Sequence, residues 1–292
     1  MNSYKRRFGD RAEGRLIRSL PAFNKFMPYI MPTRNDASNQ YEESFEVTAL
    51  DRELRRLRVE GYKGIGILHF LIAAYIRGIS MLPGLNRFVV GRRIFARHGI
   101  EVVMTVKRSL ALDATETTIK VKFEPTDTIF DVYRKMNEKI DEIKTDEGNN
   151  NTEDVAEILC RLPRFLLRFA ITCLRIGDYF GWLPQSLLDA SPFHGSMIIT
   201  DLGSLRIGPV FHHIYNFGTL PVFIAFGAKY HKYEINRHGQ VEDRKYIDCK
   251  MVMDERTVDG HYYAQFLQAY RYMFQHPEIL EAPPTKVVED LF

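Results

Sequence analysis

SMIITDLG at residues 196–203 and DERTVDG at residues 254–260 are the two most informative stretches of this sequence. The first starts with an apolar run, which predicts a buried strand that ends near Thr200. The second comes directly before an amphipathic pattern over residues 261–274, which predicts a helix. In the first stretch polar side chains follow a predicted strand, and in the second they precede a predicted helix.

The rest of the chain predicts a mixed arrangement of strands and helices. Residues 116–123 (ETTIKVKF) alternate polar and apolar side chains, as in a strand with one buried face. The other predicted strands are 44–48, 88–94, 101–107, 196–200, 222–228 and 248–253. The predicted helices are 51–60, 64–81, 128–144 and 261–274, with a strongly helical region at 154–188 that Pro163 and Gly177 interrupt. These elements predict an α/β fold, a two-layer sandwich of a mixed sheet with helices on one face.

Composition narrows the function classes. The net charge of +3 over 292 residues gives no basic surplus for nucleic acid. The cysteines Cys160, Cys173 and Cys249 form no CxxC pair, so we expect buried thiols in a reducing compartment. The basic N-terminal stretch has no apolar region behind it, and no apolar run reaches the roughly 20 residues that span a bilayer. We therefore expect a cytoplasmic protein.

Four stretches of the sequence together resemble a known family. Residues 197–203 resemble the Thr-Ile-Ser-Asn-Leu-Gly strand of dihydrolipoamide acyltransferases, and residues 254–260 resemble their Asp-His-Arg-x-x-Asp-Gly signature. Residues 220–227 (LPVFIAFG) lie where that family has a proline-led strand, and residues 70–86 match its long apolar helix and Pro-x-x-Asn turn. Over roughly residues 44–280, the chain resembles the CoA-dependent acyltransferase superfamily. This superfamily includes the catalytic domain of 2-oxoacid dehydrogenase dihydrolipoamide acyltransferases and chloramphenicol acetyltransferase.

The resemblance assigns roles to individual residues. In that family a histidine is the general base, and a Ser/Thr hydroxyl donates to the developing oxyanion. Thr200 matches the hydroxyl, while Asp259 matches the aspartate that orients the site through an arginine and starts the last helix. Glu255 stands where the catalytic histidine is expected. The residues that support the two motifs are Asp201, Arg256, Gly260 and His261, and the candidate arginine partners of Asp259 are Arg11, Arg15 and Arg18.

Glu255 leaves two functions open. A glutamate has an ordinary pKa of about 4.3, against about 6.5 for histidine, so it is a poor base for an alcohol or thiol. Burial at a subunit interface would raise that pKa and keep the chain an acyltransferase. Alternatively, Glu255 forms a fixed ion pair with Arg256 or with an arginine of a neighbouring subunit. The chain would then be a catalytically silent pseudoenzyme that serves as a ligand sensor or scaffold.

The resemblance also implies ligands and partners. It implies a homotrimer with its active site at the subunit interface. CoA or acyl-CoA would be a substrate rather than a tightly bound cofactor, and the sequence does not identify the acceptor. We treat His194, His212 and His213 as structural, and we expect no metal site because adjacent histidines point in different directions.

Domain organisation is predicted to be simple. We expect one acyltransferase-like domain over residues 1–292, with no lipoyl domain or peripheral-subunit-binding domain and hence no lipoyl group. Residues 31–41 and 149–188 are interpreted as insertions, the second of them helical. Arginines 161, 164, 168 and 175 of the second insertion fall on one helical face. That face could lie on an anionic membrane, hold CoA phosphates, pack on a neighbouring subunit or form a solvated edge.

Overall fold

A computed structural model describes residues 5–107, 116–145 and 161–292, and it confirms the predicted α/β class. The strands are β1 (Gly14–Leu16), β2 (Ser38–Glu46), β3 (Arg87–Val90), β4 (Arg93–Arg97), β5 (Ile100–Lys107), β6 (Glu116–Phe123), β7 (Met197–Asp201), β8 (Val222–Phe226), β9 (Tyr230–Ile235) and β10 (Val241–Asp254). The α-helices are α1 (Ala22–Ile30), α2 (Thr48–Val59), α3 (Ile67–Met81), α4 (Ile129–Thr145), α5 (Arg164–Phe180), α6 (Gln185–Ala190) and α7 (Gly260–Gln275).

The main sheet is mixed. Its described strands follow the order β2-β10-β8-β7-β5-β6, and β9 extends it by pairing with β10. The pairs β5–β7 and β7–β8 are parallel, whereas the other pairs are antiparallel. A separate small sheet has the order β1-β4-β3.

One face of the main sheet carries the core. Apolar side chains of α2, α3, α4 and α7 pack there against inward residues such as Ile199 and Ile224. The opposite face holds a smaller cluster with Ile198 and Phe223. Because side chains alternate along a strand, Thr200 shares the face of Ile198 and points away from the helical layer.

Residues 290–292 bind the small sheet and its surroundings. The guanidinium of Arg15 in β1 donates to the backbone carbonyls of Asp290 and Leu291, and the backbone N–H of Ser19 donates to the carbonyl of Phe292. Arg87 of β3 forms a buried ion pair with the Asp290 carboxylate, 2.5 Å long. The two most distant parts of the chain are therefore packed together.

The structure differs from the sequence predictions at several elements. Strand β2 starts at Ser38, so it includes part of the stretch 31–41 that we interpreted as an insertion. The single strand predicted at 88–94 is a hairpin, β3–β4, because Gly91 and Arg92 both have positive φ angles of 57° and 58° and form the turn. None of the described helices combines the length and the apolar composition needed to span a bilayer.

Two predictions from residues 149–188 also change. Helix α5 begins after Pro163, so Arg161 lies outside the helix that holds Arg164, Arg168 and Arg175. The part of this stretch before residue 161, together with Cys160, lies outside the described residues. The prediction of buried cysteines is confirmed for Cys249 and wrong for Cys173, which is exposed because it lies on the outer surface of α5.

Candidate active site

The carboxyl end of β7 presents Thr200 to solvent. Thr200 is half-buried, and its hydroxyl makes no hydrogen bond with any described residue. After it, the Asp201 carboxylate accepts the backbone N–H of Ser204 at 2.9 Å and so fixes the turn that leaves the strand. Gly203 is required in this turn, because a Cβ there would lie 2.7 Å from the carbonyl oxygen of Gly227. The backbone around Thr200 is thus fixed, and its hydroxyl is free to donate.

Asp201 is itself partly withdrawn from water. Burial raises the pKa of its carboxyl, and the N–H groups of Ser204 and Gly203 oppose that rise only in part. The Asp201 side chain thus supports the geometry of the strand end through its contact with the N–H of Ser204.

The carboxyl end of β10 is built around a buried ion pair. Asp254 accepts two hydrogen bonds from the guanidinium of Arg256, at 2.8 and 2.7 Å. The Nε atom of a second buried arginine, Arg34, lies 3.9 Å from the Asp254 carboxylate. Arg34 also donates to the carbonyls of Val89 and Asn216, and burial lowers its pKa to about 10. This end of the sheet is therefore fixed by charge pairing.

Glu255 comes directly after this pair. Its backbone N–H donates to the carbonyl of Ala37 at 3.0 Å, which positions the residue at the end of the sheet. Its side chain is half-buried, and its carboxylate forms no ion pair with the described residues. The intrachain ion pair with Arg256 that we considered does not form, because Asp254 occupies that guanidinium.

Asp259 begins helix α7 as its N-cap. Its carboxylate accepts the backbone N–H of Tyr262 at 2.8 Å, and Gly260 is the first residue of the helix. His261 is exposed and contacts Gln265. The three candidate arginines have other partners within the chain. Arg11 pairs with Glu13 and Asp178, Arg18 pairs with Asp10, and Arg15 binds the carbonyls of residues 290 and 291.

Strand register places Thr200 and Glu255 at opposite ends of the sheet. Thr200 is aligned with Ala225 of β8, which is aligned with Lys250 of β10. Glu255 lies five residues beyond Lys250, which is about 16 Å along the strand direction at about 3.3 Å per residue. Two strand spacings of about 4.8 Å separate the residues in the other direction. The two side chains therefore cannot contact the same reacting atom within one chain.

A buried polar cluster lies at the end of the sheet that holds Glu255. The Nδ1 atom of His194 is 2.7 Å from the hydroxyl of Ser191, and its Nε2 atom is 3.4 Å from the Asp178 carboxylate, which Arg11 also binds. Burial lowers the pKa of His194. Burial alone would raise the pKa of Asp178, but hydrogen bonds and charge from His194 and Arg11 lower it. His194 is 1% exposed, so its ring is closed off from solvent within this chain.

A basic cavity opens beside this cluster. It has a volume of about 430 Å³ and is lined by the guanidinium-bearing residues Arg34, Arg92, Arg175 and Arg256, whereas Asp178 is its one acidic lining residue. Guanidinium groups bind phosphate and carboxylate oxygens in a bidentate manner. Sequence reasoning missed this site, because the four arginines come from separate parts of the chain and no local pattern connects them.

The fold of the described residues is similar to that of solved dihydrolipoamide acetyltransferase structures. It is similar to a probable dihydrolipoamide acetyltransferase from Listeria monocytogenes 4b F2365, with 15% sequence identity, a TM-score of 0.55, and coverage of 88% of this chain and 93% of that chain. It is similar to the catalytic core of a 2-oxoacid dehydrogenase complex from Thermoplasma acidophilum, with 14% identity, a TM-score of 0.52, and coverage of 87% and 93%.

A third similar structure is the dihydrolipoamide acetyltransferase of Azotobacter vinelandii, studied for the roles of a serine, a histidine and an asparagine in its catalytic mechanism. Its sequence is 14% identical, the TM-score is 0.52, and the match covers 94% of this chain and 95% of that one. No protein-family model and no curated protein matches the sequence. At these identities the likeness establishes the fold.

Proposed function

We propose that this protein binds CoA or acyl-CoA and transfers the acyl group to a thiol, hydroxyl or amine acceptor. The observation that supports this most is the position of Glu255. It follows the last residue of β10 in an acyltransferase fold, half-buried and without an ion pair among the described residues. Its carboxylate is therefore available to accept a proton.

The proposed reaction assigns one step to each residue. Glu255 takes the proton of the acceptor, which attacks the carbonyl carbon of the acyl thioester. The hydroxyl of Thr200 donates a hydrogen bond to the resulting oxyanion. The intermediate collapses as its carbon–sulfur bond breaks, and the CoA thiolate takes the proton from Glu255. Burial at a subunit interface would raise the pKa of Glu255 toward the range that this exchange needs.

A second copy of the chain is part of the proposal. Because Thr200 and Glu255 lie at opposite ends of one sheet, a complete site needs Thr200 of one subunit and Glu255 of another. A homotrimer, as the family resemblance implies, supplies this arrangement by a closed head-to-tail contact. Thr200, Glu255 and Asp259 would then take the places of the serine, histidine and asparagine of the Azotobacter vinelandii enzyme.

The basic cavity is consistent with an anionic substrate. CoA carries several phosphate groups. Asp254 offsets the buried charge of Arg34 and Arg256, whereas the exposed lining residues Arg92 and Arg175 keep the cavity positive. We therefore expect the charged part of CoA to bind near Arg92 and Arg175, which are exposed and form no ion pair with the described residues.

Calorimetric titration with CoA and acetyl-CoA tests the proposal directly. We expect binding in the micromolar range, weakened at least tenfold in Arg92→Glu, which reverses the charge of an exposed cavity-lining residue in the β3–β4 turn. Arg237→Glu, in the exposed β9–β10 turn, is the matched control and should bind as the wild type does. No heat at millimolar CoA would contradict the proposal.

The pseudoenzyme alternative rests on the replacement of histidine by Glu255. Release of the CoA thiol, measured with a panel of acceptors, separates the two functions. An active wild type that loses activity in Glu255→Gln supports the acyltransferase. An inactive wild type that binds CoA and becomes active in Glu255→His supports a ligand sensor or scaffold.

A further inference from the structure

Helix α5 exposes two parallel rows of side chains. Arg164, Arg168 and Arg175 fall within about 40° of one another around the helix axis, since each residue turns the helix by about 100°. All three are exposed, and none forms an ion pair with a carboxylate among the described residues. The first row is therefore a line of unpaired positive charge.

The second row consists of large apolar side chains. Each arginine is followed directly by an apolar residue, so Phe165, Phe169 and Ile176 form a row displaced by about 100°, which Phe180 continues. Their exposed fractions run from 47% to 71%. Trp182, just after the helix, stacks on Phe180 and is 71% exposed. A single exposed phenylalanine is ordinary, but several large exposed apolar side chains in one row, interrupted only at Thr172, mark an interaction surface.

Helix α1 adds a second exposed apolar patch nearby. Phe23, Phe26 and Ile30 share one side of α1, with exposed fractions from 54% to 70%. Both helices border the β3–β4 turn. The guanidinium of Arg92 lies over the ring of Tyr29 in α1, and a Cβ on Gly91 would lie 2.7 Å from the carbonyl oxygen of Tyr179 in α5. The two apolar patches therefore adjoin the same part of the surface.

The charge of this surface indicates the class of partner. Asp178 is the one carboxylate of α1 and α5, and it is buried and paired with Arg11. A contact of this face with the same face of a second copy would bring arginine rows together, which is unfavourable. Exposed aromatic residues beside a row of arginines are typical of helices that lie in the interface of an anionic membrane.

We propose that the α5 face, formed by the arginine row, the apolar row and Trp182, is a docking surface for an anionic membrane. The apolar row enters the boundary between headgroups and acyl chains. The arginine row binds lipid phosphates at the edge of the inserted side chains. The buried Asp178–Arg11 ion pair attaches the C-terminal end of the helix to the domain, so docking holds the whole domain at the membrane.

Trp182 provides the measurement, because it is the one tryptophan of the sequence. Purified protein is titrated at low salt with vesicles of phosphatidylglycerol and phosphatidylcholine in equal parts, and separately with phosphatidylcholine alone. We expect a blue shift of the tryptophan emission and co-sedimentation with the anionic vesicles, both weakened by added salt. An unchanged emission spectrum and protein that stays in the supernatant with anionic vesicles would overturn the proposal.

Matched variants test whether this face is responsible. Reversal of the three arginines by Arg164→Glu, Arg168→Glu and Arg175→Glu should weaken vesicle binding by more than about tenfold. The variant Arg55→Glu, Arg134→Glu and Lys139→Glu has the same change of charge on α2 and α4, and it should bind as the wild type does. Equal losses in both would overturn the proposal, because binding would then depend on net charge alone.

A second pair of variants tests the apolar row. Phe165→Ser with Phe169→Ser should lower binding, whereas Tyr233→Ser with Ile235→Ser, equally exposed on β9, should not. Circular dichroism checks that each variant is folded, and light scattering gives its oligomeric state. If the α5 variants dissociate an oligomer and leave vesicle binding unchanged, the face is a subunit contact and the proposal is wrong.

Discussion

Thr200 and Glu255 occupy opposite ends of the main sheet. Thr200 is level with Lys250 of β10, two strands away, and Glu255 lies five residues beyond Lys250 along that strand. One chain therefore holds two incomplete halves of the proposed site. This arrangement makes the proposed reaction depend on contact between copies, and that dependence can be measured.

Two inactive variants should restore activity when they assemble together. Thr200→Val removes the oxyanion donor, with an expected loss of about 10²–10³ in kcat, and Glu255→Gln removes the base. In co-expressed, randomly mixed trimers, about a quarter of the sites combine an intact Thr200 with an intact Glu255. We expect about that share of wild-type activity from the mixture. No recovery would mean that the reacting groups come from a single chain.

The pairing of Asp254 with Arg256 should contribute strongly to stability. Arg256→Met leaves a buried carboxylate without its bidentate partner, so we expect the free energy of unfolding to fall by about 3–5 kcal/mol. Arg271→Met breaks the exposed pair with Glu43 and should cost less than about 1 kcal/mol. Urea unfolding, monitored by circular dichroism, gives the free energy of unfolding of each variant. Equal losses would contradict this prediction and would show that the Arg34 guanidinium alone can stabilise the buried Asp254 carboxylate.

His69 should make the fold sensitive to acid. Its Nδ1 atom accepts the N–H of Gly66 at 3.2 Å, and burial, helped by the charge of Arg58, lowers its pKa to about 4. In the unfolded chain the pKa is about 6.5, so unfolding takes up a proton between these two values. The contribution of His69 to the free energy of unfolding is therefore fully present above about pH 6.5. It falls by up to about 3 kcal/mol as the pH drops to about 4.

The variant His69→Asn isolates this effect, because its side-chain oxygen still accepts the Gly66 N–H. Unfolding free energies of wild type and variant, measured across this pH range, should converge as the pH falls. Parallel curves would assign the acid sensitivity to other groups.

Asp201 should make stability depend on pH in the opposite direction to His69. Because burial raises the pKa of its carboxyl, the folded state holds that proton more tightly than the unfolded state. Its contribution to stability is thus largest at acid pH and is lost as the pH rises through the folded pKa. Asp201→Asn keeps the acceptor for the N–H of Ser204. At neutral pH it should raise the free energy of unfolding by up to about 0.5 kcal/mol, and therefore also raise the Tm. Asp36→Asn, in an exposed turn, should change the Tm less, and a lower Tm in Asp201→Asn would contradict this prediction.

Much of the fold could be predicted because its signals are local. Alternation over β6 and the helical spacing of α3 and α7 are properties of neighbouring residues. The β3–β4 hairpin was missed for a physical reason. Its turn contains Arg92 with a positive φ, which is uncommon outside glycine and gives no turn signal in the sequence.

The candidate site could be predicted only in part. The motif resemblance identified Thr200, Glu255 and Asp259, since each lies at the end of a regular element. The sequence gives no sign of the Arg34–Asp254 contact or of Asp178 between Arg11 and His194. Arg11 and Asp178 are 167 residues apart, and partners at such a distance leave no periodic pattern.

The contacts of Arg15 with residues 290 and 291 have a consequence for synthesis of the protein. The two ends of the Arg15–Leu291 hydrogen bond are 276 residues apart in the chain. A ribosome that adds about 5–20 residues per second needs roughly 14–55 s to make that stretch. During this time β1 can pair with β4, but Arg15 lacks the carbonyls that it binds in the folded protein, so these contacts form only after residues 290 and 291 have emerged.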